Sequence, residues 1–124
     1  NPLDAFSDNL LWLAGFLVVR FVGLSVVVPV IEEFFLRGFL MRYVMDMYWE
    51  KVPFGQADRT AIVVGTVYGM LTHPAELFAA AAWFSLVTWL MLKTRNIWDC
   101  VMAHGVTNFL LGVYVLTTGD WELW

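Results

Sequence analysis

A chain of 124 residues has room for one domain. It is 60% hydrophobic and only 15% charged, where a soluble domain is about 45–50% apolar and about 25% charged, so the composition excludes an ordinary soluble protein and indicates a membrane protein. The net charge of −4, with no basic patch, argues against a nucleic-acid partner.

The apolar runs are continuous rather than alternating. Lipid leaves helices and closed barrels as the spanning structures, and the pattern fits helices. The expected fold class is therefore all-α, a multi-helix transmembrane bundle, with residues 1–124 forming one membrane-embedded domain. The chain opens at Asn1 with neither a methionine nor a basic segment and cleavage site, so it is expected to be a fragment of a longer membrane protein.

"LLWLAGFLVVRFVGLSVVVPV", residues 10 to 30, is long enough to span a bilayer, which takes about 20 residues. Arg20 interrupts it, and Pro29 is expected to kink or restart the helix. Residues 30 to 49 read as a second helix carrying the charged stretch "VIEEFFLRGFL". A straight helix over 10 to 49 would measure about 60 Å, twice the hydrocarbon thickness, so a fold at Pro29 or a course along the membrane surface is expected. "EKVPFGQADR", 50 to 59, is polar and holds Pro53 and Gly55, the signature of a loop. Residues 60 to 73 are helical. "THPAE" then gives a proline and an acid in a first turn, which predicts a new helix from 74 to about 92. "KTRN" is a turn, and the last helix runs from 97 to about 117. Lys51, Arg59, Lys93 and Arg95 flank the 60–92 region and mark both loops as cytoplasmic. The two helices between them then form a hairpin bending at His73, and the acidic, aromatic tail "GDWELW" suits the outer interface.

Four polar sites interrupt the apolar segments: Glu32-Glu33 with Arg37, His73, His104 and Asn108. The only two histidines of the chain are among them. Ionisable groups in membrane segments are costly, so they mark functional sites unless paired. Glu33 and Arg37 stand at i and i+4, on one helix face with the acid N-terminal. Glu32 points about 100° away from Glu33 and is served poorly by the arginine. One acid is thus structural and the other faces something else; the alternative is that both bind Arg37 or face headgroups. His104 and Asn108 are also i and i+4, and two donors on one face can hold a developing oxyanion; a polar pair packing helices together is the alternative. His73, at a helix break, is either a cap or packed residue or the group that holds a water near Glu32.

One carboxylate base, one histidine for water and a His/Asn donor pair suit water attack on an amide carbonyl. Ser25, Ser85 and Cys100 sit in no nucleophile motif and read as packing residues. Two histidines and two glutamates can also bind a metal, but neither the His-Glu-x-x-His motif nor the Glu-x-x-His pairs of di-iron bundles occur. A metal site is therefore the less favoured alternative, and no cofactor is expected.

"EEFFLR" and "HGVTN" resemble the Glu-Glu-x-x-x-Arg and His-x-x-x-Asn motifs of the CAAX-protease and bacteriocin-processing family, the type II CAAX prenyl endopeptidases, over roughly residues 25 to 115. "VYGMLTHPAEL" also resembles a branch associated with bacterial exosortase systems. The resemblance implies the catalytic core of an intramembrane glutamate protease working without a metal. It makes Glu32 the base, His73 a water holder, His104 and Asn108 the oxyanion site, and Glu33 with Arg37 the supporting pair. It also implies a bacterial inner-membrane location, contact with membrane lipid, and a peptide or protein substrate, lipidated ones included. A non-catalytic scaffold or immunity-type member and a metal-dependent membrane protease are the rival readings. One departure from the family stands out: its middle motif is Phe-x-x-x-His, and here Gly69 stands four residues before His73.

Overall fold

Residues 1–123 are described by the computed structural model, and their regular structure is helical throughout, without a strand. Its long helices are α1 (Leu10–Tyr43), α2 (Arg59–Thr72), α3 (Leu77–Thr94, entered through a 3-10 turn at Pro74–Glu76) and α4 (Ile97–Thr118). Three of these are long and apolar enough to cross a membrane: α1, α3 counted from Pro74, and α4. Large apolar side chains lie on their outside, with Leu11 83% and Phe78 91% exposed, while Glu33 and Arg37 are 0% exposed. Soluble proteins almost never bury such charges while displaying such residues; in lipid the preference reverses. The chain is an all-α integral membrane protein.

Polar side chains close two of the helix starts. Asn9 caps α1 by accepting the Trp12 amide at 3.2 Å, and Asp58 caps α2 by accepting the Ala61 amide at 2.8 Å. Each satisfies one of the amides that the first helical turn leaves without a backbone partner. At the far end of α3, Arg95 adopts the left-handed conformation (φ 52°) that ends the helix. Gly55, at φ 83°, crosses beside it, and a Cβ there would lie 2.6 Å from Arg95 Cγ. Only glycine meets both demands.

Of the two expectations at Pro29, the restart is corrected by the structure. No non-helical residue intervenes between Leu10 and Tyr43. Instead α1 widens to the π register over Gly23–Val27 just before the proline, and again over Phe34–Leu40. A proline ring clashes with the carbonyl four residues earlier and offers no N–H; a wider turn absorbs both faults without ending the helix. The helix also stops at Tyr43 rather than at residue 49. Past it, Asp46 accepts the Tyr48 amide at 2.8 Å, a local turn that competes with helix. Arg42 then gathers the returning chain, donating to Val52 O at 2.8 Å and to Gly38 O at 2.9 Å while lying 5.1 Å over the Trp49 ring.

The chain divides into two compact units: Val30–Ala103, and Asn1–Pro29 with His104–Trp124. In the first, α2 and α3 pack side by side. Ala61, Gly65 and Gly69 are buried on α2; Gly69 leaves room for the Phe84 ring of α3, and Gly65 for Met41 at the end of α1. Thr66 and Ser85 share a hydrogen bond of 3.3 Å across the pair. Buried Leu36, Met41, Phe84, Val87, Met91 and Cys100 fill the core of this unit. In the second unit, Phe21 and Phe109 meet edge to face with centroids 5.4 Å apart, and a Cβ on Gly112 would lie 2.9 Å from the Phe21 ring.

Candidate active site

The Val30–Ala103 unit holds four of the six residues singled out: Glu32, Glu33, Arg37 and His73. Arg37 donates through Nη1 to Glu33 Oε2 one turn away. Its Nη2 donates to the Phe84 carbonyl of α3 at 3.2 Å, and its guanidinium lies 5.7 Å from the Phe84 ring centroid. Both charges are 0% exposed. Buried charges persist only when paired and hydrogen-bonded, and Glu33 and Arg37 meet that condition with each other. Glu32, its neighbour in sequence, is half-buried. Tyr68 of α2 stands within electrostatic reach of both carboxylates.

His73 sits at the junction of α2 and α3, outside the helical dihedrals (φ −127°, ψ 63°), and is exposed. Its amide donates to Gly69 O at 3.1 Å, which closes α2. Its ring Nδ1 lies 3.1 Å from the same Gly69 carbonyl and 3.0 Å from Thr72 Oγ1. A carbonyl oxygen can only accept, so Nδ1 carries the proton and Nε2 of the neutral ring is the acceptor. The tautomer is thus set by the helix end, and the nitrogen it leaves basic is the one able to receive a proton or hold a water.

Phe84 is the residue that sequence reasoning missed. Its ring lies 5.6 Å from the His73 ring and 6.4 Å from Tyr68, and its carbonyl receives Arg37. It therefore touches both the histidine and the buried ion pair. It also accounts for the departure at Gly69: a Cβ there would fall 2.2 Å from Phe84 Cδ2. An aromatic at position 69 and Phe84 could not share this space. The ring beside His73 comes from α3 instead of α2, and no spacing within α2 could have announced it.

His104 and Asn108 belong to the other unit, one turn apart on α4. His104 is 3% exposed. Asn108 donates through Nδ2 to the Leu24 carbonyl at 2.9 Å, inside the first π segment of α1. Beside this contact a Cβ on Gly105 would lie 2.4 Å from Ser25 O, so only a glycine lets α4 approach the α1 backbone there. Among the described residues no three His, Cys, Asp or Glu side chains gather so as to hold a metal ion.

The profile of the type II CAAX prenyl endopeptidase Rce1-like family matches residues 14–110, a stretch that contains all six residues. No curated protein and no solved structure matches the chain. The matched stretch covers most of the sequence, includes both the buried Glu33–Arg37 pair and the His104–Asn108 turn, and makes the chain a member of the type II CAAX prenyl endopeptidase Rce1-like family, a family of membrane peptidases.

Proposed function

We propose that the protein is an intramembrane endopeptidase in which Glu32 is the general base. Glu32 takes a proton from water, and the hydroxide so formed bonds to an amide carbonyl carbon. The carbonyl becomes an oxyanion, held by hydrogen bonds from His104 and Asn108. When the C–N bond breaks, the proton on Glu32 passes to the leaving amine. His73 holds the attacking water through Nε2. Glu33 and Arg37 act on neither water nor substrate; they fix the helix turn that presents Glu32. The substrate is a peptide or protein segment at the membrane, and the site of action is the bacterial inner membrane, with residues 1–124 working as one catalytic domain.

The observation that carries this reading is the division between the adjacent glutamates. Glu33 is committed to Arg37 at zero exposure, whereas Glu32 is half-buried beside it. A structural pair needs one acid, and we assign proton transfer to the second.

The test uses the full-length protein in proteoliposomes and a quenched-fluorescent peptide ending in a farnesylated CAAX sequence, with the unmodified peptide alongside. Glu32→Gln should lower cleavage by about 10²–10⁴-fold, the range for loss of a general base. Wild-type cleavage should survive strong chelation. Activity lost on chelation and restored by one divalent ion would establish the metal-dependent reading instead.

A further inference from the structure

Asn108 spends one donor on a main-chain carbonyl, and the backbone of α1 explains why that carbonyl is available. In an α-helix Leu24 O would accept from the amide of residue 28. Here the Val28 amide donates to Gly23 O, five residues back. In that π register Leu24 O would look to the amide of residue 29, and residue 29 is proline, which has none. The Leu24 carbonyl has therefore lost both of its helical donors. A carbonyl left without a donor between packed helices is costly, and the Asn108 amide fills the gap at 2.9 Å. Gly105, one turn earlier on α4, removes the side chain that would keep the two backbones apart.

We infer that the Leu24 carbonyl, freed by Pro29, positions the Asn108 carboxamide for the reaction. A carbonyl can receive only the NH2 end of the amide, so this contact decides which way the group faces. It engages one N–H and leaves the second for the oxyanion. Pro29 and Leu24 are positioning residues: neither meets the substrate, and both act through Asn108. The inference rests on the oxyanion role of Asn108 proposed above.

Pro29→Ala is the direct test. It either supplies an amide at residue 29 or lets the Val28 amide return to Leu24 O, and in both cases Leu24 no longer needs Asn108. The substitution removes an interior proline, so folding should not suffer. With the farnesylated peptide, kcat should fall on the order of 10- to 100-fold, as for a displaced catalytic group, while KM stays nearly unchanged. Melting in detergent supplies a second readout through a double-mutant cycle. Asn108→Ala should lower Tm in the Pro29 protein, where it orphans Leu24 O, and lower it much less in the Pro29→Ala background. Additive Tm losses would overturn the anchor. Coupled Tm losses with an unaltered kcat in Pro29→Ala would overturn its bearing on the reaction. Failure of the oxyanion reading itself looks different: Asn108→Ala alone would then cleave at the wild-type rate.

Discussion

Two stretches of α1 depart from the α register, and they do so for different reasons. Gly23–Val27 is followed by Pro29, so its cause is covalent, and it holds no buried residue. Phe34–Leu40 contains no proline; it buries Leu36 and Arg37 and is held by contacts with other elements, among them the Arg37 bond to Phe84 O. The first exports an unsatisfied carbonyl to which Asn108 responds. The second imports a charge that Glu33 and α3 must neutralise. A π turn can thus be a consequence of sequence within the helix or of packing around it, and π turns of both kinds recur at functional sites. The comparison predicts that a single substitution can abolish the first, whereas damage to the second spreads to everything packed on it.

The largest effect should come from Glu33→Gln, which strips the second turn of its counter-charge. Removing one partner of a buried pair costs about 3–5 kcal/mol, so Tm in detergent should drop steeply. Adding Arg37→Met should recover part of it, because the orphaned charge is gone. If Glu33→Gln melts like the wild type, the pair does not hold this turn.

Next come the glycines that permit close approach. Gly105→Ala drives a Cβ onto the Ser25 carbonyl, a backbone atom that cannot swing aside. Gly69→Ala drives one onto the Phe84 ring. Overpacking of this kind costs about 1–3 kcal/mol. The two should differ in their remedy: Phe84→Leu should relieve Gly69→Ala in melting experiments, and no side-chain change at residue 25 should relieve Gly105→Ala. The smallest effect belongs to Arg42→Ala at the end of α1. Its bonds to Val52 O and Glu50 O fasten the returning loop, and their loss should show as faster proteolysis between residues 44 and 58 with little change in the global Tm.

Much of the helical layout is legible from residue order. The polar loop at 50–59, Pro74 as a start and the turn at 93–96 mark α2, α3 and α4 to within a few residues, since each signal acts on its own backbone. At Pro29 only a restart is ruled out: proline excludes α geometry without excluding helix, and nothing local tells a restart from a π turn. The end at Tyr43 is hard to read from residue order because the Asp46–Tyr48 turn is joined there by loop carbonyls of Glu50 and Val52 brought back to Arg42. At the site, the i, i+4 spacing shows which glutamate can reach Arg37. It cannot show that Phe84, 47 residues away, receives the same guanidinium or packs on His73. Nor could the spacing of His104 and Asn108 reveal that a proline on another helix leaves Asn108 a carbonyl to bind.

The central claim is that two neighbouring carboxylates do different work, Glu32 chemical and Glu33 structural. The most direct measurement pairs peptide cleavage with Tm for Glu32→Gln and Glu33→Gln in the same full-length protein. The account predicts that Glu32→Gln keeps its Tm and loses about 10²–10⁴-fold in rate, while Glu33→Gln loses Tm first and activity with it. A Glu32→Gln protein cleaving at full rate, beside a Glu33→Gln protein that is stable and inactive, would contradict it and exchange the two roles.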